Sequence, residues 1–196
     1  MSNNHNTEEK ISLPNLETDR LYLRERTVAD AEAVFEYASL PEVSWPAGFP
    51  PVKTVEDEVY YLEHVLTKRN ADHHLPSGYG ICLKGTDKVI GSVDFNLRHA
   101  DDVLEMGYTL HPDFWQKGLM TEACHAFLEA GFTLLKLHKI EIACYDHNQA
   151  SRKLAEKLGF TLEATIRDRK DAQGNRCASL RYGLLKSEWE KNVPLN

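Results

Sequence analysis

Positive charge is in deficit in this chain. Its 23 Lys and Arg stand against 30 Asp and Glu, a formal net charge of -7. Nucleic-acid-binding modules carry basic patches, so no nucleic-acid partner is expected. No apolar run approaches the ~20 residues of a membrane span. The polar stretch Met1–Lys10 lacks the apolar core of a signal peptide. No membrane partner is expected, and the expected location is the cytoplasm. Cysteine is scarce: Cys82, Cys124, Cys144 and Cys177, with no two at a two-residue spacing. That removes the short zinc and dithiol motifs and leaves four small apolar residues suited to a reducing compartment. The nine histidines show no ligand spacing either. His73 and His74 are neighbours in a loop, and His111, His138 and His147 stand at strand ends. No metal is expected. Two phosphate-binding signatures are also absent, Gly-x-x-x-x-Gly-Lys-Ser/Thr and Gly-x-Gly-x-x-Gly, which argues against a nucleoside triphosphate or dinucleotide.

What the chain does have is 42% hydrophobic residues in 196, the length and composition of one ordinary globular domain. Residues 1–15 read as a disordered polar tail, and 16–196 as a single domain. Thr18–Arg24 alternates as a strand. Thr27-Val-Ala-Asp30 looks like a capping box opening a helix with Ala31, Val34, Phe35 and Ala38, which should stop before Pro41. Trp45–Val52, with three prolines, is a loop. Thr54 caps a second helix carrying Val55, Val59, Leu62, Val65 and Leu66. Strands are expected at Tyr79–Leu83, Val89–Leu97 and Val103–Leu110, then a turn at Asp113–Gly118 and a long helix from Leu119 to Phe132. Lys139–Cys144 is a strand. Asn148 starts a helix to Leu158 with Gly159 closing it, and Phe160–Ile166 and Ala178–Leu185 are strands. Mixed helices and strands predict an α/β or α+β domain around one sheet.

The segment from Glu105 to Ala123 is a strand, a turn and a helix start in immediate succession. A helix N-terminus leaves backbone N–H groups unpaired and carries partial positive charge. A glycine in the turn lets a phosphate approach them, and Lys117 adds a cation. Gln116–Thr121 is therefore a candidate pyrophosphate site; a plain helix start after a glycine turn is the competing reading.

Four segments in order sharpen this. Trp115-Gln-Lys-Gly-Leu-Met-Thr-Glu-Ala123 resembles the acetyl-CoA loop of the GNAT acetyltransferase superfamily. Glu105-Met-Gly-Tyr-Thr-Leu-His-Pro112 is similar to the strand before that loop in the Rim-type branch, whose named members acetylate ribosomal-protein N-termini. Asn148–Phe160, followed by Leu162-Glu163 and Arg167, resembles the second signature of that branch, and Leu16–Arg24 its opening strand. The resemblance runs from about Leu16 to Leu185. It implies a mixed, mostly antiparallel sheet flanked by helices, with two central parallel strands that splay apart, here Val103–Leu110 and His138–Tyr145. It implies acetyl-CoA as co-substrate, its pantetheine arm against the backbone of Tyr108, Thr109 and Leu110. The diphosphate would lie on the amides of Gln116, Lys117, Gly118, Met120 and Thr121. Asn148 would bond the pantetheine, and Ser151 would lie near the sulfur.

The sequence departs from the pattern at Trp115, where Arg or Gln is frequent, at Gln116, where Gly is common, and at Met120. Backbone amides do the binding, so these changes should be tolerated. Many members carry a Tyr acid on the helix after Asn148; Ala155 stands there, which excludes it. Ala178 replaces an Asp usual in the last strand.

Acetyl transfer needs a neutral amine to attack the thioester, a stabilised oxyanion and a departing thiolate. A protein α-amine, with pKa ~8, is about a tenth neutral at pH 7, whereas a lysine at ~10.4 is far less so. Glu105 is the candidate base, alone or through water, with a surface carboxylate as the competing reading. Ser151 is the candidate partner of the sulfur, or simply a first-turn serine. Glu141 is a second possible base, or a strand-surface residue. Trp45, Phe49 and Tyr60 lie where relatives shape the acceptor pocket, or serve packing alone. The acceptor is expected to be a protein N-terminus. A polyamine or aminoglycoside, or a non-catalytic acyl-CoA sensor, is the alternative. The protein is expected to be a monomer or homodimer.

Overall fold

A computed structural model describes residues 13–73, 75–76 and 78–192. Eight strands form one sheet in the order β1-β2-β3-β4-β5-β6-β8-β7. They are β1 (Leu16–Glu17), β2 (Leu21–Glu25), β3 (Tyr79–Leu83), β4 (Val89–Ala100), β5 (Val103–Leu110), β6 (Lys139–Tyr145), β7 (Thr161–Lys170) and β8 (Arg176–Leu185). Every pairing is antiparallel except β5 with β6.

Residues 1–12 of the expected tail lie outside the described residues. Leu13 is not part of a free tail. Its side chain is buried in the core and its carbonyl accepts a hydrogen bond from the Tyr79 hydroxyl, because an apolar side chain beside β3 gains more from burial than a short tail loses in order.

The expected first strand is broken at Thr18–Arg20. The Thr18 amide donates to the Leu21 carbonyl at 3.0 Å and the Leu21 amide to Thr18 Oγ1 at 2.9 Å, which makes a tight turn. Helices α1 (Ala31–Ala38) and α2 (Pro41–Ser44) follow. Pro41 does not merely end α1. It occupies the first turn of α2, where its missing N–H costs nothing. The next helical run comprises α3 (Val55–Tyr60), a π-wound stretch Tyr61–Leu66 and α4 (Thr67–Asp72). Thr54 caps it as expected: the Asp57 amide donates to Thr54 Oγ1 at 3.1 Å, and the Thr54 amide donates to Asp57 Oδ2 at 3.2 Å. The C-terminal half adds α5 (Leu119–Thr133), α6 (Gln149–Lys157) and α7 (Lys186–Asn192).

The sheet separates two apolar layers. On one side Leu119, Ala123, Phe127 and Leu128 of α5 pack with Val93, Phe95, Leu104, Met106 and Ile140. The Phe127 ring lies 4.7 Å from Phe95 and 5.6 Å from Tyr79. On the other side Val34, Tyr37, Ala38 and Val43 pack with Cys82 and Val89. Three strands outrun their expected limits: β4 reaches Ala100, β7 reaches Lys170 and β8 starts at Arg176. The outer end of β7, Arg167–Lys170, is exposed and polar, and the added ends of β4 and β8 show no buried apolar alternation, so pairing holds them rather than a pattern that sequence could reveal.

The placing feature is the β5–β6 junction. Val103 pairs with Lys139, Leu104 with Ile140 and Glu105 with Glu141, and the parallel register stops there. Beyond that point β5 stays with β4 and β6 with β8. The strands splay, leaving the inner edges of Met106–Leu110 and Ile142–Tyr145 without each other.

Candidate active site

The loop after β5 is built to present amides. His111, capping the 3-10 turn Pro112–Phe114, accepts from the Asp113 amide at 3.2 Å. Gln116 and Gly118 both take positive φ, 60° and 75°. The first helical bond of α5 runs from the Glu122 amide to the Gly118 carbonyl, 3.1 Å. The amides of Leu119, Met120 and Thr121 thus stand ahead of the helical ladder, at its positive end. The left-handed conformation at Gln116 explains why glycine suits this position: a side chain there costs about 1–2 kcal/mol. Lys117 rises over the Phe114 ring with its Nζ 5.4 Å from the centroid.

One anchor of this loop was not legible in the sequence. Glu122 accepts from Thr18 Oγ1 at 2.5 Å, from the Arg20 amide at 2.9 Å and from Arg20 Nε at 2.6 Å. Arg20 Nη1 also donates to the Lys117 carbonyl at 2.9 Å. Partial burial opposes ionisation of Glu122, but the donors from Thr18 and Arg20 outweigh it and hold its carboxyl below the ordinary range. Arg20 therefore clamps the loop to the β1–β2 turn, with its charge paired to Glu122.

In the splay, Tyr108 and Ser151 meet. Their hydroxyls are 2.7 Å apart, and Ser151 is buried. Burial pushes the Tyr108 phenol well above its usual pKa, so it stays a neutral donor. The sequence marked Tyr108 for its backbone alone; its phenol reaches Ser151 on α6. Asn148 caps α6, its Oδ1 accepting from the Ser151 amide at 3.1 Å while its Nδ2 donates to the Pro46 carbonyl at 3.3 Å. One amide proton of Asn148 remains for another acceptor. The Leu110 carbonyl accepts from Trp115 Nε1 at 2.7 Å, which leaves it one further lone pair. Trp115, a departure from the family pattern, thus ties the loop back to β5. Thr109 meets Ser92, hydroxyl to hydroxyl, at 2.8 Å.

Glu105 is buried beside the splay. Its Oε2 accepts from Arg181 of β8 and lies 3.1 Å from His99 Nε2 of β4. His99 is also 3.6 Å from Glu141, which Lys139 holds at 2.7 Å; the same Lys139 reaches Glu163 at 2.6 Å. Glu105 and Glu141 are therefore neighbours in one ionic row. Neither His99 nor Arg181 carried a sequence signal, because each comes from a different strand.

A second polar group, between β4 and helices α1 and α3, was also missed. Arg26, with its side chain 5% exposed, donates to Asp94 at 3.0 Å. Asp94 lies opposite Gly107 in the β4–β5 register. Glu58 is buried, and loss of solvent pushes its pKa up to about 7 against the opposing pull of Arg26. Tyr37 is pushed up to about 12, again chiefly by burial. Among the described residues, Glu58 Oε1, Asp94 Oδ1, Asn96 Oδ1, Arg26 Nε and the Tyr37 hydroxyl have no hydrogen-bond partner. Buried polar atoms of this kind call for a bound polar group or water.

The remaining expectations divide. His138 is bound through its amide to the Asp102 carbonyl and joins no cluster above. His74 lies outside the described residues. Phe49 packs against the Tyr37 layer, whereas Tyr60 is exposed and meets His64 edge-on.

Compared with known proteins, residues 20–161 match the profile of the acetyltransferase (GNAT) domain. The uncharacterised N-acetyltransferase p20 of Bacillus licheniformis is 32% identical over 178 residues, covering 89% of this chain and 97% of that one. YdaF of Bacillus subtilis, described as a candidate ribosomal N-acetyltransferase, is 34% identical over 95 residues, 48% of this chain and 52% of YdaF. The crystal structure of a GNAT-family acetyltransferase from Bacillus anthracis superposes with a TM-score of 0.77 at 26% identity, covering 89% of this chain and 100% of that one.

Proposed function

Because this chain belongs to the GNAT acetyltransferase family, we propose that it moves an acetyl group from acetyl-CoA to a primary amine, a protein N-terminal α-amine first among acceptors. The observation that carries this reading is the parting of β5 from β6 just after Glu105 and Glu141, beside the open amides of α5. The fit to a diphosphate rests on those amides together with Lys117. Acetyl-CoA would supply the acetyl group as an activated thioester.

The chain's own residues then have defined tasks. The amides of Gln116, Lys117, Gly118, Met120 and Thr121 would bind the diphosphate, and the β5 edge at Tyr108–Leu110 would align the pantetheine. Amides on the splayed edge of β5 would receive the charge that develops on the carbonyl oxygen, the largest single contribution in most acyl transfers. Ser151, backed by the neutral Tyr108 phenol, would donate to the departing sulfur. Glu105 would take the amine proton on Oε1 and release it to solvent, while Arg181 and His99 hold Oε2 in place. Holding both reactants in register supplies much of the remaining rate.

The α-amine reading is favoured over a polycation by how the carboxylates are spent. Asp94 is paired with Arg26, Glu105 with Arg181, and Glu141 and Glu163 with Lys139. A polyamine would have to displace these cations, whereas the open acceptors Glu58 Oε1 and Asp94 Oδ1 offer room for one amine rather than several. An α-amine, already about a tenth neutral at pH 7, asks little of the base. The reading also agrees with the activity named for YdaF. The test is thiol release from acetyl-CoA with N-terminal peptides, polyamines and aminoglycosides offered in parallel. Turnover confined to polyamines or aminoglycosides would overturn the acceptor assignment. Acetyl-CoA binding without turnover on any of them would favour a sensor.

A further inference from the structure

Where β6 runs into α6, three side chains of metal-binding type converge. Asp146 and His147 follow β6 directly, and Cys177 lies on β8. The Asp146 amide donates to the Ala178 carbonyl at 3.0 Å, which pins this corner to β8. One potential ligand atom from each of Asp146, His147 and Cys177 lies within 4.8 Å of the others. Sequence spacing hides the group because Cys177 arrives through the β7–β8 hairpin.

The imidazole is oriented as well as near. Its ring stacks on Tyr145, centroids 5.5 Å apart and planes 11° from parallel. Nδ1 is 3.5 Å from Asp146 Oδ1, and Nε2 is 4.0 Å from Asp171 Oδ2. Asp171 is fixed in turn by the amides of Gln173 and Asn175, at 2.9 and 2.8 Å. A histidine with one nitrogen toward the ligand set and the other toward a held carboxylate has the outer-shell arrangement common at zinc. Ligand atoms around a tetrahedral zinc stand roughly 3.3–3.8 Å apart, given metal distances of about 2.0–2.3 Å. Closing from the present spacing takes a shift of about 1 Å in side chains that are not tightly packed. Simple pairing of a charged imidazole with two carboxylates would account for His147, Asp146 and Asp171, but it gives Cys177 no part.

We infer that Asp146, His147 and Cys177 form a divalent-metal site of zinc type, with Asp171 orienting His147 and water completing the coordination. The sulfur–nitrogen–oxygen donor set suits zinc or cobalt rather than calcium or magnesium, which take oxygen ligands. On binding, a metal–sulfur bond forms and the thiol proton passes to solvent; nothing is oxidised. The metal would tie the end of β6 to β8 immediately before Asn148, stiffening the corner from which α6 starts. This inference is independent of the acetyl-transfer reading.

The test uses the full chain, stripped with chelator and titrated with cobalt and then zinc. One cobalt per chain and a thiolate-to-cobalt charge-transfer band in the near ultraviolet, displaced by zinc, are expected. The other three cysteines are buried, so that band reports Cys177. Cys177→Ala should abolish it and weaken zinc binding at least 100-fold, and His147→Asn, at an exposed position, should weaken zinc at least tenfold. Asp171→Asn should keep the band and weaken zinc about 10- to 100-fold. Circular dichroism of the metal-free variants checks that each is folded. Absence of the band in the parent, or zinc affinity unchanged in Cys177→Ala and His147→Asn, would overturn the site. Unchanged affinity in Asp171→Asn would remove Asp171 from it.

Discussion

Gly118 and Gly174 are a matched pair for testing the anion loop. Both have positive φ, 75° and 88°. A methyl group at Gly174 would meet nothing within 4 Å, and at Gly118 it would come only to 3.5 Å from Arg20 Nη2, an ordinary contact. Substitution by alanine therefore isolates the backbone cost of a side chain in the left-handed region, about 1–2 kcal/mol in each case. For a chain of this length that corresponds to a fall in Tm of about 2–8 °C, read by calorimetry. The two variants should differ in function. Gly174 closes the β7–β8 turn, where its amide donates to the Asp171 carbonyl at 3.0 Å, far in sequence from the amides proposed to face the diphosphate. Gly118 aims those amides. Any relaxation of its φ swings the Leu119 and Met120 N–H groups away, and each donor lost to a charged group is worth about 1.5–3 kcal/mol. Gly118→Ala should thus raise KM for acetyl-CoA at least tenfold, and Gly174→Ala should leave it within twofold. Equal KM values with equal losses in Tm would show that the diphosphate sits elsewhere. An unchanged Tm in both would refute the strain argument itself.

Other outcomes follow from the same geometry. Glu105→Gln should lower kcat about 100-fold or more, the usual contribution of a positioned base, with KM for acetyl-CoA within twofold; retained kcat would dismiss Glu105. Tyr108→Phe removes the phenol held at 2.7 Å from Ser151. It should cost about 1 kcal/mol of stability and lower kcat about fivefold; an unaltered kcat would leave the phenol a packing role only. Glu58 titrates near 4.5 when unfolded and near 7 in the folded protein, so between those values the folded state holds more protons. Stability is therefore greatest below pH about 4.5 with respect to this group and falls as pH rises to about 7, by on the order of 3 kcal/mol. Glu58→Gln should flatten that decline, which chemical denaturation at pH 5 and pH 8 would reveal. Glu122 has the opposite sign: its depressed pKa adds stability that is lost as pH falls through the acidic range. Glu122→Gln should accordingly be less acid-sensitive than the parent.

The legible parts of the fold share a property. The caps at Thr54 and Asn148, the end of α6 at Gly159 and the turn at Gln116–Gly118 involve residues within a few positions of one another. Hydrogen-bonding chemistry over that range is a function of residue type and spacing. The misjudged parts were those in which a distant element overrode a local rule. Thr18–Arg20 alternates like a strand, yet turns because Glu122 collects its donors. The outer end of β7 has no apolar alternation, yet is a strand because β8 lies beside it.

The same division runs through the site. The resemblance carried by the sequence implied the kind of sheet and the two strands that splay, and it proposed the amide-bearing loop together with Glu105, Tyr108, Asn148 and Ser151 as site residues. Tertiary structure alone decided what those residues face. Arg20 meets Glu122, Arg26 meets Asp94, and Arg181 and His99 meet Glu105, while Cys177 comes to Asp146 and His147. All of these contacts cross from one chain segment to another. Their existence depends on strand order, β4-β5-β6-β8-β7, and on which face each strand turns toward its neighbours. No single segment carries that information, because charge and hydrogen bonding act through space while the chain records only succession.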